Sequence, residues 1–119
     1  MRGIYKDYST ATQKYLSSVE KYLKEKYGKV NDEWEQPLMM LATNVEMFNK
    51  CTEIIKRDGL IVIAKNGSPS KNAAILIQLE AQKQINKLLD AFGLTPKAQS
   101  KINLLNEDDD ESLKELLGN

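Results

Sequence analysis

The chain has 119 residues, with 17 basic and 17 acidic side chains and no histidine. This is the length of one modest domain, with no net charge to draw it toward a partner of either sign. Hydrophobic residues make up 41% and charged residues 29% of the chain, and no run approaches the roughly 18 apolar residues of a membrane span, so neither a multidomain enzyme nor a membrane protein is expected.

The composition also removes chemistry. Without histidine and with one cysteine, Cys51, the chain cannot build a Ser-His-Asp or Cys-His arrangement, a His/Cys zinc site or an internal disulfide. The six glycines never fall into a phosphate-cradling G-x-x-x-x-G-K-[ST] loop, and Gly59 and Gly67 are too far apart for G-x-G-x-x-G. Two acidic groups are candidate Mg²⁺ ligands, Asp32 with Glu33 and Glu35, and the run Glu107 to Glu111. Adjacent acids repel and stay hydrated, so both read as solvated charge. The expectation is a non-enzyme with no catalytic residue, metal or cofactor. Met1 to Lys6 lacks the apolar core of a signal peptide, which points to a reducing cytoplasm.

In chain order, Tyr8, Tyr15, Leu16, Val19, Tyr22, Leu23 and Tyr27 recur at helical spacing, predicting an amphipathic helix over about 8–27. Asp7 or Ser9 can cap its start and Gly28 its end. All five tyrosines lie within these first 27 residues, as core rings or as a stacking surface. After Asn31-Asp32, the positions Leu38, Leu41, Val45, Phe48, Thr52 and Ile55 alternate by three and four, predicting a second helix that starts near Pro37 or kinks there and stops at Gly59. Trp34 falls in the ambiguous stretch between the two.

Leu60-Ile61-Val62-Ile63 is a short β-branched run, and Lys65-Asn66-Gly67-Ser68 carries a turn signal, predicting a small β-hairpin with a weak second arm at Ser68-Pro69-Ser70. A third helix follows over about 72–92, with Ala74, Ile77, Ala81, Ile85, Leu88 and Phe92 as its stripe, widened by Ile75, Leu76, Leu79 and Leu89. Gly93 ends it, Leu94 can fold back on it, and Thr95-Pro96 opens a short helix to about 102. Residues 103–119 form an acidic tail in which Leu113, Leu116 and Leu117 suggest a partner-docking segment.

The fold class is therefore mainly α: a helical hairpin with a short β-hairpin or strand inserted between the second and third helices. Three regions follow, a basic N-terminal helix at 1–30, a central hairpin at 31–102 and the acidic tail at 103–119. Residues 1–30 hold seven basic and three acidic side chains, whereas 105–119 hold one and six. That polarity suits a basic end that meets nucleic acid and an acidic end that meets protein.

Three stretches carry a resemblance. Cys51-Thr52-Glu53-Ile54-Ile55-Lys56-Arg57-Asp58-Gly59-Leu60-Ile61-Val62, the turn Asn66-Gly67-Ser68-Pro69, and Phe92-Gly93-Leu94-Thr95-Pro96 together resemble, in order and spacing, the P27 family of phage terminase small subunits over about residues 35–102. The chain departs from that pattern where Ala73 replaces a proline at the start of the third helix and Gln99 replaces an arginine soon after the Gly-Leu-Thr-Pro step, with Lys97 and Lys101 nearby to supply charge.

The resemblance implies a non-catalytic subunit in the host cytoplasm. Such a subunit recognises double-stranded viral DNA, assembles as a cyclic homo-oligomer and passes the DNA to an ATPase-nuclease large subunit. On that reading Lys14, Lys21, Lys24, Lys26 and Lys29 are the first DNA-binding candidates and Lys65, Lys71, Lys97 and Lys101 the second. The seam Leu38, Leu41, Val45, Phe48 and Ile55 is the candidate surface between copies, and Leu113, Leu116 and Leu117 are the candidate dock for the large subunit. The competing expectation is a helical interaction or regulatory module that never touches DNA, which the zero net charge and the lack of an Arg/Asn/Gln-rich recognition helix favour.

Overall fold

The computed structural model describes residues 3–94. The N-terminal residues make a 3-10 turn, Gly3–Tyr5, and Tyr5 is fully buried. Helix α1 spans Thr10–Tyr27. Ser9 caps it by accepting the Thr12 N–H at 3.4 Å, and Gly28 closes it with an N–H to the Lys24 carbonyl at 2.8 Å. The apolar stripe read from the sequence is the face it buries: Leu16, Val19 and Leu23 have no exposed surface.

A second 3-10 turn, Asp32–Trp34, leads into helix α2, Glu35–Asp58. Pro37 is the third residue of that helix. It is tolerated because the N–H groups of a first turn have no partner inside the helix. Leu38, Leu41, Ala42 and Val45 form the buried face of the first half of α2. The sequence reading assigns Leu38, Leu41 and Val45 to contacts between copies. In the structure α1 lies on the first half of α2, and all three side chains are buried inside one chain.

Strand β1, Ile61–Ile63, and strand β2, Pro69–Lys71, form a two-stranded antiparallel ribbon with Ile61 opposite Lys71, Val62 opposite Ser70 and Ile63 opposite Pro69. Its loop has three residues, Lys65 to Gly67, closed by the Ala64 N–H on the Ser68 carbonyl at 2.8 Å. Gly67 holds φ of 85°, a left-handed conformation that strains any residue with a Cβ. Asn72 joins the ribbon to both helices. Its backbone N–H reaches the Leu60 carbonyl, its amide donates to the Gly59 carbonyl at 2.8 Å, and its side-chain oxygen accepts the Ala74 N–H at 3.0 Å. This Asx-type turn leads into helix α3, Ala74–Ala91, whose N-cap position is Ala73 and has no side-chain cap of its own.

Helices α2 and α3 run antiparallel. Gln78 on α3 donates to the Thr52 hydroxyl at 2.7 Å and to the Phe48 carbonyl at 3.3 Å, while the opposite ends meet where Trp34 stands 6.0 Å from Phe92. The end of α3 is tied off by the Leu94 N–H on the Leu89 carbonyl at 3.1 Å, with Leu94 folded back and buried. Gly93 sits between them at φ of 72°, and a Cβ there would stand 2.8 Å from the Tyr27 hydroxyl. Thr95-Pro96, the short helix expected after them and the acidic tail lie outside the described residues.

One hydrophobic core results, built from Tyr5, α1, the first half of α2 and the last half of α3. Beyond it the second half of α2, the ribbon and the first half of α3 continue as an arm that α1 does not cover.

Candidate nucleic-acid interface

The aromatic residues belong to the core and not to a stacking surface. Tyr8, Tyr15, Tyr22, Trp34 and Phe48 pack against it, and burial pushes the Tyr15 phenol up to about 12. Tyr27 is more exposed, but its hydroxyl donates to the Phe92 carbonyl at 2.8 Å and its ring meets Trp34 edge-on at 5.3 Å. The chain Tyr27, Trp34, Phe92 therefore joins the ends of all three helices.

These contacts, with two others, fix the orientation of α1. Near its start, the Glu46 carboxylate on α2 accepts from the Ser9 N–H at 3.2 Å, from the Ser9 hydroxyl at 2.8 Å and from the Thr12 hydroxyl. Partial desolvation raises the Glu46 carboxyl, but these hydrogen bonds and the Lys50 charge outweigh it and hold the group below its ordinary range. Near its end, the Lys26 ammonium donates to the Gly93 carbonyl and lies 5.5 Å from the Tyr27 ring centroid.

The face of α1 that remains exposed carries Lys14, Ser17, Lys21 and Lys24, at offsets of three, seven and ten that form one stripe on a helix. Gly28 then reverses the chain and brings Lys29 alongside. An open groove of about 560 Å³ lies here, lined by Ser17, Glu20, Lys21, Lys24, Gly28, Lys29 and Val30. Lys21, Lys24 and Lys29 give this open, concave surface a mainly basic lining. Glu20, a buried residue of α1, is the acidic one among those that line it.

The candidate lysines thus divide into groups. Lys21, Lys24 and Lys29 share the groove, and Lys14 extends the stripe. Lys26 is engaged within the chain. Lys65 and Lys71 are exposed on the ribbon, at the far end of the 24-residue α2 and so about 36 Å of helix away from Trp34. Lys97, Lys101, Leu113, Leu116 and Leu117 lie outside the described residues. The acidic cluster Asp32, Glu33 and Glu35 is exposed around the start of α2, and among the described residues no three His, Cys, Asp or Glu side chains are grouped to hold a metal ion. Nor, among them, is any helix long and apolar enough to cross a membrane.

Sequence reasoning missed two residues. Glu46 was invisible because its partners Ser9 and Thr12 lie 37 and 34 positions away, and Glu20 because its spacing gives no sign that a carboxylate turns inward. Of the oligomerisation seam, only Phe48 and Ile55 keep part of their surface exposed. The larger exposed apolar side chains are elsewhere: Leu60, Ile61 and Ile63 on and beside β1, Leu76, Ile77 and Leu79 on the first half of α3, and Met40 and Met47 on α2.

No curated protein and no solved structure matches the chain significantly. The family model for the phage terminase small subunit matches residues 17–109, which takes in most of α1, the whole helical hairpin and the ribbon. A match over so much of the chain, on a helix-ribbon-helix frame in the order that the sequence implied, places it: the chain belongs to the phage terminase small subunit family.

Proposed function

We propose that the protein is the non-catalytic DNA-recognition subunit of a phage genome-packaging motor, of the P27 type, that binds double-stranded viral DNA as a closed ring and delivers it to an ATPase-nuclease large subunit. The family supports the role in packaging. The convergence of Lys21, Lys24 and Lys29 on one open groove, on a helix held at both ends, is the observation that carries DNA binding. In a ring each copy presents the same lysines. A weak phosphate contact repeated around a closed ring sums to strong, salt-sensitive binding. Phe48, Ile55 and the exposed leucines and isoleucines of the arm supply the apolar area for contacts between copies. The acidic tail with Leu113, Leu116 and Leu117 is the proposed dock for the large subunit.

The alternative is an interaction module that leaves DNA alone, and the zero net charge of the chain favours it. Gel-shift titration of duplex DNA at two salt concentrations separates the two. The DNA-binding reading expects affinity that falls steeply with salt; an intact oligomer that binds no duplex at low salt rejects it.

A further inference from the structure

The charges of the chain cancel in sum but not in place. Residues 1–30 carry seven basic and three acidic side chains, residues 105–119 carry one and six, and Glu107 to Glu111 is the longest run of like charge in the sequence. The fold brings the root of that acidic end to the basic helix. Lys26 donates to the Gly93 carbonyl and the Tyr27 hydroxyl to the Phe92 carbonyl at 2.8 Å, so the end of α3 is tied to the last turn of α1. Gly28, the next residue, lines the groove together with Lys21, Lys24 and Lys29. The chain thus leaves α3 at the same end of α1 where Lys24, Gly28 and Lys29 gather.

Residues 95–106 separate Leu94 from the acidic run. These twelve residues span at most about 40 Å when extended, and roughly 25 Å with the short helix that the sequence predicts to about 102. The groove lies across the last turns of α1, and a helix with its side chains is only about 10 Å wide, so either length reaches it. Charge then selects the occupant. The groove is mainly basic, Lys14 extends its lysine stripe along α1, and five carboxylates in a row are complementary to it. Contacts between exposed charges are weak one by one, but so short a tether keeps the run at an effective concentration on the order of millimolar. A free anion has no such advantage.

We infer that the acidic run Glu107 to Glu111 lies in the lysine groove of its own chain and is displaced by duplex DNA. The tail is then a built-in competitor: it opposes indiscriminate binding and yields where a duplex offers more contacts than the run itself makes. Leu113, Leu116 and Leu117 follow the run and are left to the dock proposed above. This rests on the groove as the DNA surface proposed above, and not on the ring.

The test uses the full chain and has two parts. A zero-length carbodiimide joins lysines to carboxylates in contact, and mass spectrometry on a mixture of isotope-labelled and unlabelled chains separates links within a chain from links between chains. The expected links run from residues 107–111 to Lys21, Lys24 and Lys29 of the same chain and fade when duplex DNA is added. Lys101, close along the sequence, reports that the carboxylates are reactive. The second part compares duplex affinity of the natural protein with a variant carrying Asp108→Asn, Asp109→Asn and Asp110→Asn together. For a groove covered about nine-tenths of the time, the variant's apparent Kd falls about tenfold at low salt. Its salt dependence also steepens, because the lysines then release counterions on binding DNA instead of carboxylates.

Links spread evenly over Lys50, Lys56, Lys65 and Lys71, links between chains only, or no groove links while Lys101 is joined each overturn the inference and leave the DNA reading intact. So does an unchanged Kd in the triple variant. If neither protein binds duplex at low salt, the groove is rejected as the DNA surface, and the displacement falls with it whichever residues are joined.

Discussion

The two halves of the helical hairpin carry apolar residues at the same three-four spacing and meet opposite fates. At one end Leu38, Leu41 and Val45 of α2 share a core with Ile85 and Leu89 of α3 and with Phe92 just past its end, and α1 completes the enclosure. At the other end α1 is absent, and Leu76, Ile77 and Leu79 remain exposed beside a ribbon whose isoleucines also face solvent. The periodicity states which face of a helix is apolar; whether that face is enclosed by its own chain depends on the length and placement of a third element. Here α1 covers only the first half of the 24-residue α2, and the second half becomes part of the arm.

Substitution in the enclosed half has the largest expected effect. Leu41→Ala should cost about 2–5 kcal/mol of stability, read as a fall in the denaturant midpoint. The same change at Leu79 in the arm should move stability by less than about 0.5 kcal/mol while reducing the assembled mass. Equal losses at both positions would erase the distinction between the halves.

Reversing charge at Lys21 and Lys24 together should abolish duplex binding at moderate salt and leave assembly intact. It should flatten the salt dependence of affinity by about one unit of slope for each phosphate contact removed. The same reversal at Lys65 and Lys71 should change affinity less. If the ribbon pair has the greater effect, the DNA surface belongs to the arm.

Glu46→Gln should cost about 1–2 kcal/mol, because the charge-assisted bonds at the start of α1 weaken. The pH dependence has a definite sign. The Glu46 carboxyl is lowered in the folded protein, so its contribution is full above the ordinary carboxylate range and is lost as pH falls through the lowered value. The natural protein should lose stability over that acidic window more steeply than Glu46→Gln does, as measured by thermal melts at stepped pH. Gly93→Ala, where a left-handed residue gains a Cβ close to the Tyr27 hydroxyl, should cost about 1 kcal/mol in the same melts.

Much of the frame was legible in the sequence, because local signals and tertiary contacts agree there. Ser9 and Gly28 bracket α1, Gly93 with Leu94 ends α3, and the β-branched run before Asn66-Gly67 makes the ribbon. The resemblance read from Cys51 to Pro96 agrees with the family model at the level of phage terminase small subunits, and the P27 type remains part of the proposal. What was not legible depends on distance along the chain. Leu38, Leu41 and Val45 read as a seam between copies because nothing local says that an earlier helix will cover them. Lys26 reads as one more surface lysine because its partner, the Gly93 carbonyl, is 67 positions away. The groove itself follows from the reversal at Gly28, which sets Lys29 beside a stripe that spacing alone ends at Lys24.

The chain holds one tryptophan, and it stands where the ends of α1, α2 and α3 meet. Its emission is therefore a natural reporter for that junction: lifting α1 from the hairpin exposes the half-buried indole further, whereas events confined to the ribbon leave its surroundings unchanged. A spectrum taken during assembly or DNA titration separates motion of the basic helix from adhesion of the arm without any added label.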